Sequence, residues 1–261
     1  MEVFFGYLGA LAIGLVLGLT GGGGSILTVP VLVYLLGIHP VTATAYSLFI
    51  VGTTSAFGTV QNYRKGFVEV KTGLKFALPS LTAIYLTRKF IVPNIPEVLF
   101  SIGEISITKN LFIMILFAII MLMAALSMIR NNKSEKSTVP PNPIITVVQI
   151  FMVGVLIGLV GAGGGFLIIP ALVYLAKLPM KKAVGTSIFI IAINSLIGFT
   201  GDIGNIDIDW SFLFIFSFIS ILGIFAGIYL NKFINEKNLK KGFGWFVLTM
   251  SILILAKELL L

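Results

Sequence analysis

Cysteine is absent from the 261 residues of this chain, which excludes thiolate metal sites, disulfides and cysteine nucleophiles together and leaves the redox compartment open. Histidine occurs once, as His39 beside Pro40, at an expected helix end where it reads as a loop residue rather than a ligand or catalyst. Charge is scarce too: charged residues make up 11% of the chain, and no Asp or Glu lies deep in an apolar run. That disfavours cation ligand sets and carboxylate proton relays of the kind that mark many pumps. Zincin and serine-hydrolase motifs are missing, so no residue takes a catalytic role. The formal charge of +8 comes from Lys and Arg spread over short loops, a pattern of topology control rather than of a nucleic-acid surface.

What is abundant is apolar surface. Apolar residues account for 57% of the chain and the mean hydropathy is +1.08, far outside soluble domains. About ten apolar stretches can be read, at roughly 3–20, 25–37, 42–61, 72–90 and 110–129, then 144–160, 166–176, 183–201, 210–233 and 243–260. A spanning helix needs ~20 such residues, so some are short. Met1-Glu2-Val3 lacks the positive start of a signal peptide, and the first stretch is expected to stay as a membrane helix. A polar, proline-bearing linker at 131–143 separates an N-terminal membrane repeat, 1–130, from a C-terminal one, 144–261.

The two parts repeat each other about 140 residues apart. Gly14, Gly18, Gly21, Gly23, Gly24 and Pro30 recur as Gly154, Gly158, Gly161, Gly163, Gly164 and Pro170, and the match runs on through Ser47/Ser187, Ser55/Ser195 and Gly58/Gly198. Paired glycine-broken apolar segments in two membrane halves point to a transporter's binding site. Five stretches per half is odd, so the second copy should enter the membrane inverted. Loop charges agree: the loop with Arg64 and Lys65 is basic where its counterpart with Asp202 and Asp207 is acidic, and His39-Pro40 faces a counterpart with Lys177, Lys181 and Lys182. By the positive-inside rule the linker, with Lys133 and Lys136, and Lys232 are also cytoplasmic. Asp202, Asp207 and Asp209 read as a solvated outer loop, and both termini fall outside. Arg88 and Lys89 fit this topology badly, standing near the outer face.

The glycine runs carry the chemistry. Each glycine costs ~1 kcal/mol relative to alanine in a helix, so Gly21, Gly22, Gly23, Gly24 and Ser25, like Gly161, Gly163, Gly164 and Gly165, should break their helices near the midplane. Broken backbone at that depth must be buried in protein or line a cavity, and the helix that follows presents free N–H groups to an anion. Glycines that serve only close helix packing are the simpler alternative. Polar residues repeat beside the breaks: Ser47 and Thr54, like Ser187 and Asn194, are seven apart and share a helix face, joined by Thr186 and Ser195. These supply hydrogen bonds without fixed charge, although Ser and Thr also bond helix to helix.

The glycine-broken segments ending in Pro30 and Pro170, the Ala43-x-x-x-Ser47 and Ala183-x-x-x-Ser187 helix starts, and Gly66-Phe67-Val68-Glu69 matched to Gly204-Asn205-Ile206-Asp207 together resemble the TauE/SafE (TSUP) family of sulfite exporters. The resemblance covers both copies. It implies transport of sulfite, sulfonates or related sulfur-containing anions across the cytoplasmic membrane. Tyr46 against Thr186, Gly22 against Ala162 and Ser25 against Gly165 break the symmetry, so the half-sites need not contact substrate equally. The expectation is an all-α polytopic membrane protein of two inverted repeats that carries a small anion by alternating access, with an anion channel or an intramembrane enzyme as alternatives. Its expected partners are the anion, the lipid bilayer and a second copy in a homodimer; no cofactor, metal or nucleic acid is called for.

Overall fold

The computed structural model describes residues 2–102, 105–129, 143–231, 233 and 236–260. The expected linker therefore lies outside the described residues up to Pro143, as do Met1, Lys133, Lys136 and Lys232. In the first half the chain forms α1 (Glu2–Thr20), α2 (Gly24–Pro30) continued by a π-helical turn (Val31–Leu35), and α3 (Pro40–Arg64). It goes on as α4 (Val70–Leu86) with a second π-helical turn (Thr87–Ile91), then α5 (Val92–Asn94) and α6 (Lys109–Ile129). The second half forms α7 (Pro143–Val160), α8 (Gly165–Tyr174), α9 (Met180–Thr200), α10 (Trp210–Leu230) and α11 (Glu236–Leu260). Every apolar stretch is helical.

Local chemistry sets several ends. Pro40 opens α3 at the position where a missing N–H costs nothing, and Asp209 caps α10 by accepting from Phe212 N at 3.0 Å. Besides the short α5, a further element lies outside the ten stretches: an antiparallel hairpin of β1 (Val98–Ile102) and β2 (Ile105–Thr108) between α5 and α6. Its β-branched residues favour strand, but the segment is too short and polar to register as a span.

Packing runs across the halves rather than within them. α1 lies on α10, α7 on α4, α3 crosses α9, and α6 pairs with α11. Glycines make the first two contacts close. A Cβ added at Gly14 would stand 1.9 Å from the Ser220 carbonyl oxygen, and one at Gly154 2.6 Å from that of Ser80. Likewise Gly58 meets Ile224 and Gly198 meets Ile84. Members of each pair are 140 apart, so the sequence repeat is also a repeat of contacts, with the halves interlocked. These early glycines do serve packing.

Among the described residues three helical segments are long and apolar enough to span a bilayer by themselves, Lys109–Leu126, Met180–Thr200 and Trp210–Leu230. Phe5–Thr20, Gly24–Leu35 and Ile144–Val160 are shorter apolar helices. Leu78, Met123, Phe214 and Phe218 point outward and are exposed, forming an apolar surface of the kind lipid covers. The protein is thus mostly helical, with the surface of a multi-pass membrane protein.

Candidate functional site

Both helix breaks are present. α1 stops at Thr20 and helix resumes at Gly24; α7 stops at Val160 and helix resumes at Gly165. Gly21, Gly161, Gly163 and Gly164 have φ of +78°, +68°, +62° and +72°, a left-handed conformation that glycine adopts without penalty. Thr20 Oγ1 accepts from Gly23 N at 2.8 Å, and Ser25 Oγ donates to Gly22 O at 2.6 Å, which holds the first loop. The two loops touch: a Cβ at Gly22 would stand 2.6 Å from the Gly165 carbonyl carbon, and one at Gly165 2.3 Å from Gly22 Cα. Gly23, however, has φ −72°, so Gly23 and Gly163 match in sequence but not in backbone.

Around the breaks stand α3 and α9. Ser47, Thr54 and Ser55 from α3 and Ser187, Asn194 and Ser195 from α9 are fully buried. The hydroxyls of Ser47, Thr54, Ser55 and Ser195 and Asn194 Oδ1 have no hydrogen-bond partner. Each such group costs about 1–3 kcal/mol when buried unsatisfied, and all five lie on the two helices, α3 and α9, that pack against each other. Ser195 Oγ lies 3.3 Å from where a Gly163 Cβ would be, which places it at the second loop. Asn194 Nδ2 donates to Ser80 Oγ at 2.7 Å, and Ser80 lines a small, largely apolar cleft shared with Phe76, Gln149, Ile150, Ile168 and Ile190.

Two expected lining residues are occupied elsewhere. Ser187 Oγ donates to Gly21 O at 2.8 Å and to Val184 O, which ties α9 to the first break. Thr186 Oγ1 accepts from Glu69 N at 2.9 Å at the start of α4, and Tyr46 OH accepts from Asp209 N at 2.7 Å at the start of α10. The Tyr46/Thr186 mismatch thus hides one shared task. It also corrects the sequence register: the acid equivalent to Glu69 is Asp209, two residues beyond Asp207, because both precede the first residue of a helix.

The largest departure from expectation is Arg88. Its side chain is fully buried on the second π-helical turn, and Nε donates to Asp202 Oδ2 at 2.7 Å. Nη1 donates to Thr44 Oγ1 at 3.0 Å and to Gly158 O at 3.3 Å; Nη2 is buried without a partner. Asp202 is therefore not solvated: it is 2% exposed, whereas Asp207 and Asp209 are exposed. Burial pushes the Asp202 carboxyl above its ordinary range, and the Arg88 charge and hydrogen bond pull it back. Lys89 is exposed, its Nζ donating to Tyr85 OH at 3.0 Å. The signal for Arg88 was its place inside the last turn of the apolar run 72–90, on the face the loop charges assign as external, where a free cation is disfavoured. A second pair, Lys182 with Glu69, joins the starts of α9 and α4 and is partly exposed. Among the described residues no cluster of His, Asp and Glu could hold a metal ion.

The family described as sulfite exporter TauE/SafE matches residues 7–254. A "Probable membrane transporter protein" of Xylella fastidiosa strain 9a5c is 29% identical, over 93% of this chain and 91% of its own length. A second from Xylella fastidiosa strain Temecula1 is 30% identical, over 71% of this chain and 68% of its own. "Probable membrane transporter protein YunE" of Bacillus subtilis strain 168 is 27% identical, over 88% and 87%. No solved structure matches the chain.

Proposed function

The chain belongs to the sulfite exporter TauE/SafE family, and from that premise we propose that this membrane transporter carries sulfite, a sulfonate or a related sulfur oxyanion across the cytoplasmic membrane by alternating access. The observation that supports the substrate class is the set of buried, unpartnered hydroxyls of Ser47, Thr54, Ser55 and Ser195 on the packed pair α3 and α9, with Ser195 at the second helix break. An oxyanion there would accept the hydrogen bonds these groups lack, and the start of α8 would add N–H groups and dipole. Neutral donors suit a ligand that must leave again.

In this proposal the rocking bodies are two bundles that each mix the sequence halves, α1 and α3 with α10 and α7 and α9 with α4, moving against each other along the α3–α9 contact. In this reading the Lys182–Glu69 end, with Arg64 and Lys181, is cytoplasmic and the Asp202–Asp209 end is external, which gives the repeats opposite orientations. The cleft that reaches Ser80 serves as one access route.

Reconstituted vesicles test the proposal. Labelled sulfite, thiosulfate and short sulfonates should enter saturably and exchange unchanged against internal anion. Conductance without saturation would favour a channel, and a chemically altered product would favour an enzyme.

A further inference from the structure

We propose that Arg88 is an oxyanion-binding residue at the second helix break and that Asp202 holds the place of the transported anion there. The inference rests on the transport reading above and adds a fixed charge to a site otherwise built of neutral donors.

A guanidinium has five N–H donors. In Arg88, one on Nε goes to Asp202, and Nη1 serves Thr44 and Gly158, which leaves both donors of Nη2 unmatched. The Nε/Nη2 edge is the fork that binds two oxygens of one oxyanion. Asp202 fills it by a single oxygen, Oδ2, on Nε alone. A pair built only for stability would be expected to close the fork, since buried ions need their remaining donors satisfied.

Position supports the same conclusion. Thr44, which receives Nη1, stands against the second break: a Cβ at Gly161 would be 2.4 Å from Thr44 Cβ. Gly158, the other Nη1 acceptor, lies one turn before that break. One turn along α3 from Thr44 is Ser47, whose buried hydroxyl is unpartnered, and Thr87 Oγ1 beside Arg88 is unpartnered as well. Unmatched donors from three side chains thus gather at one break.

The other break carries nothing of the kind. Positions 140 residues from Arg88, Thr44 and Asp202 hold Ile228, Val184 and Asn62, and the counterpart of Ser47, Ser187, is already bonded to Gly21 O. The first loop is tied by the Thr20, Ser25 and Ser187 hydrogen bonds, while Arg88 and Thr87, which pack at Gly158 before the second, keep unmatched donors. Arg88 also sits on one of the two π-helical turns, a distortion that frequently accompanies functional sites. The ligand class is therefore an anion with two or more oxygens, such as sulfite or an alkyl sulfonate.

The test measures equilibrium binding of labelled sulfite and of methanesulfonate to detergent-purified protein, with chloride as control. Asp202→Asn frees the fork and should tighten sulfite at least tenfold. Arg88→Lys keeps the charge and the ion pair but loses the fork, and should weaken it at least tenfold. Arg88→Gln with Asp202→Asn leaves no buried unpaired charge, so it should fold as a neutral pair and lose binding by a similar factor. Unchanged affinity in the folded double variant, or weaker binding in Asp202→Asn, would make the pair a structural clamp and overturn the inference while the transport reading stands. If the wild type binds neither oxyanion, both fall.

Discussion

Single residues separate two kinds of polar side chain that look alike in the sequence. Ser195 and Thr54 donate to nothing, so Ser195→Ala should leave thermal stability unchanged or slightly raised, yet weaken anion binding by about 1.5–3 kcal/mol, the worth of a hydrogen bond to a charged group. Ser187 already bonds Gly21 O, so Ser187→Ala should cost about 0.5–1.5 kcal/mol of stability and little affinity. Thermal melts and binding isotherms on the same samples check the contrast; unchanged affinity in Ser195→Ala would mean that its hydroxyl does not meet the anion. The sequence showed that these residues repeat, because periodicity is written in spacing. It could not show which were already bonded, because partners such as Gly21 and Ser80 lie more than a hundred residues away. Arg88 was hidden by the same distance from Asp202.

Individual elements explain why the breaks were legible and their interior geometry was not. Runs of glycine mark where a helix stops, and both helices stop there. Gly23 and Gly163 differ in φ although they match in sequence; Thr20 Oγ1 holds Gly23 N in the first loop, and Val160 offers no such hydroxyl in the second. Gly163→Val would put a branched side chain at φ +62° and within 2.8 Å of Val51 Cγ1, so it should fail to fold or lose several degrees of melting temperature. Gly23→Ala suits its right-handed backbone and is expected to yield monodisperse protein whose anion affinity reports on the loop. The β1–β2 hairpin escaped notice because its strands are shorter than any span and carry no repeat partner.

For the whole molecule, orientation is the sharpest expectation. The absence of native cysteine makes single-cysteine labelling clean. In intact cells an impermeant thiol reagent should label Asp207→Cys and leave Lys181→Cys untouched until the membrane is opened. Labelling of Lys181→Cys from outside would overturn the inverted arrangement. That the apolar stretches form helices followed from composition; how they pair did not, since nothing in a hydropathy profile says that α1 seeks α10 rather than its neighbour α3.

That interlocking has a consequence for how the protein comes into being. The glycine face of α1, with Gly14 and Gly18, fits against Ser220, Ile224 and Gly227 of α10, which the ribosome makes about 200 residues later. At ~5–20 residues per second, α1 waits roughly ten to forty seconds in the bilayer with that notch facing lipid or a chaperone. Helices α1–α6 made alone are an unfinished surface, and two separately translated halves should assemble only when both are synthesised in the same membrane.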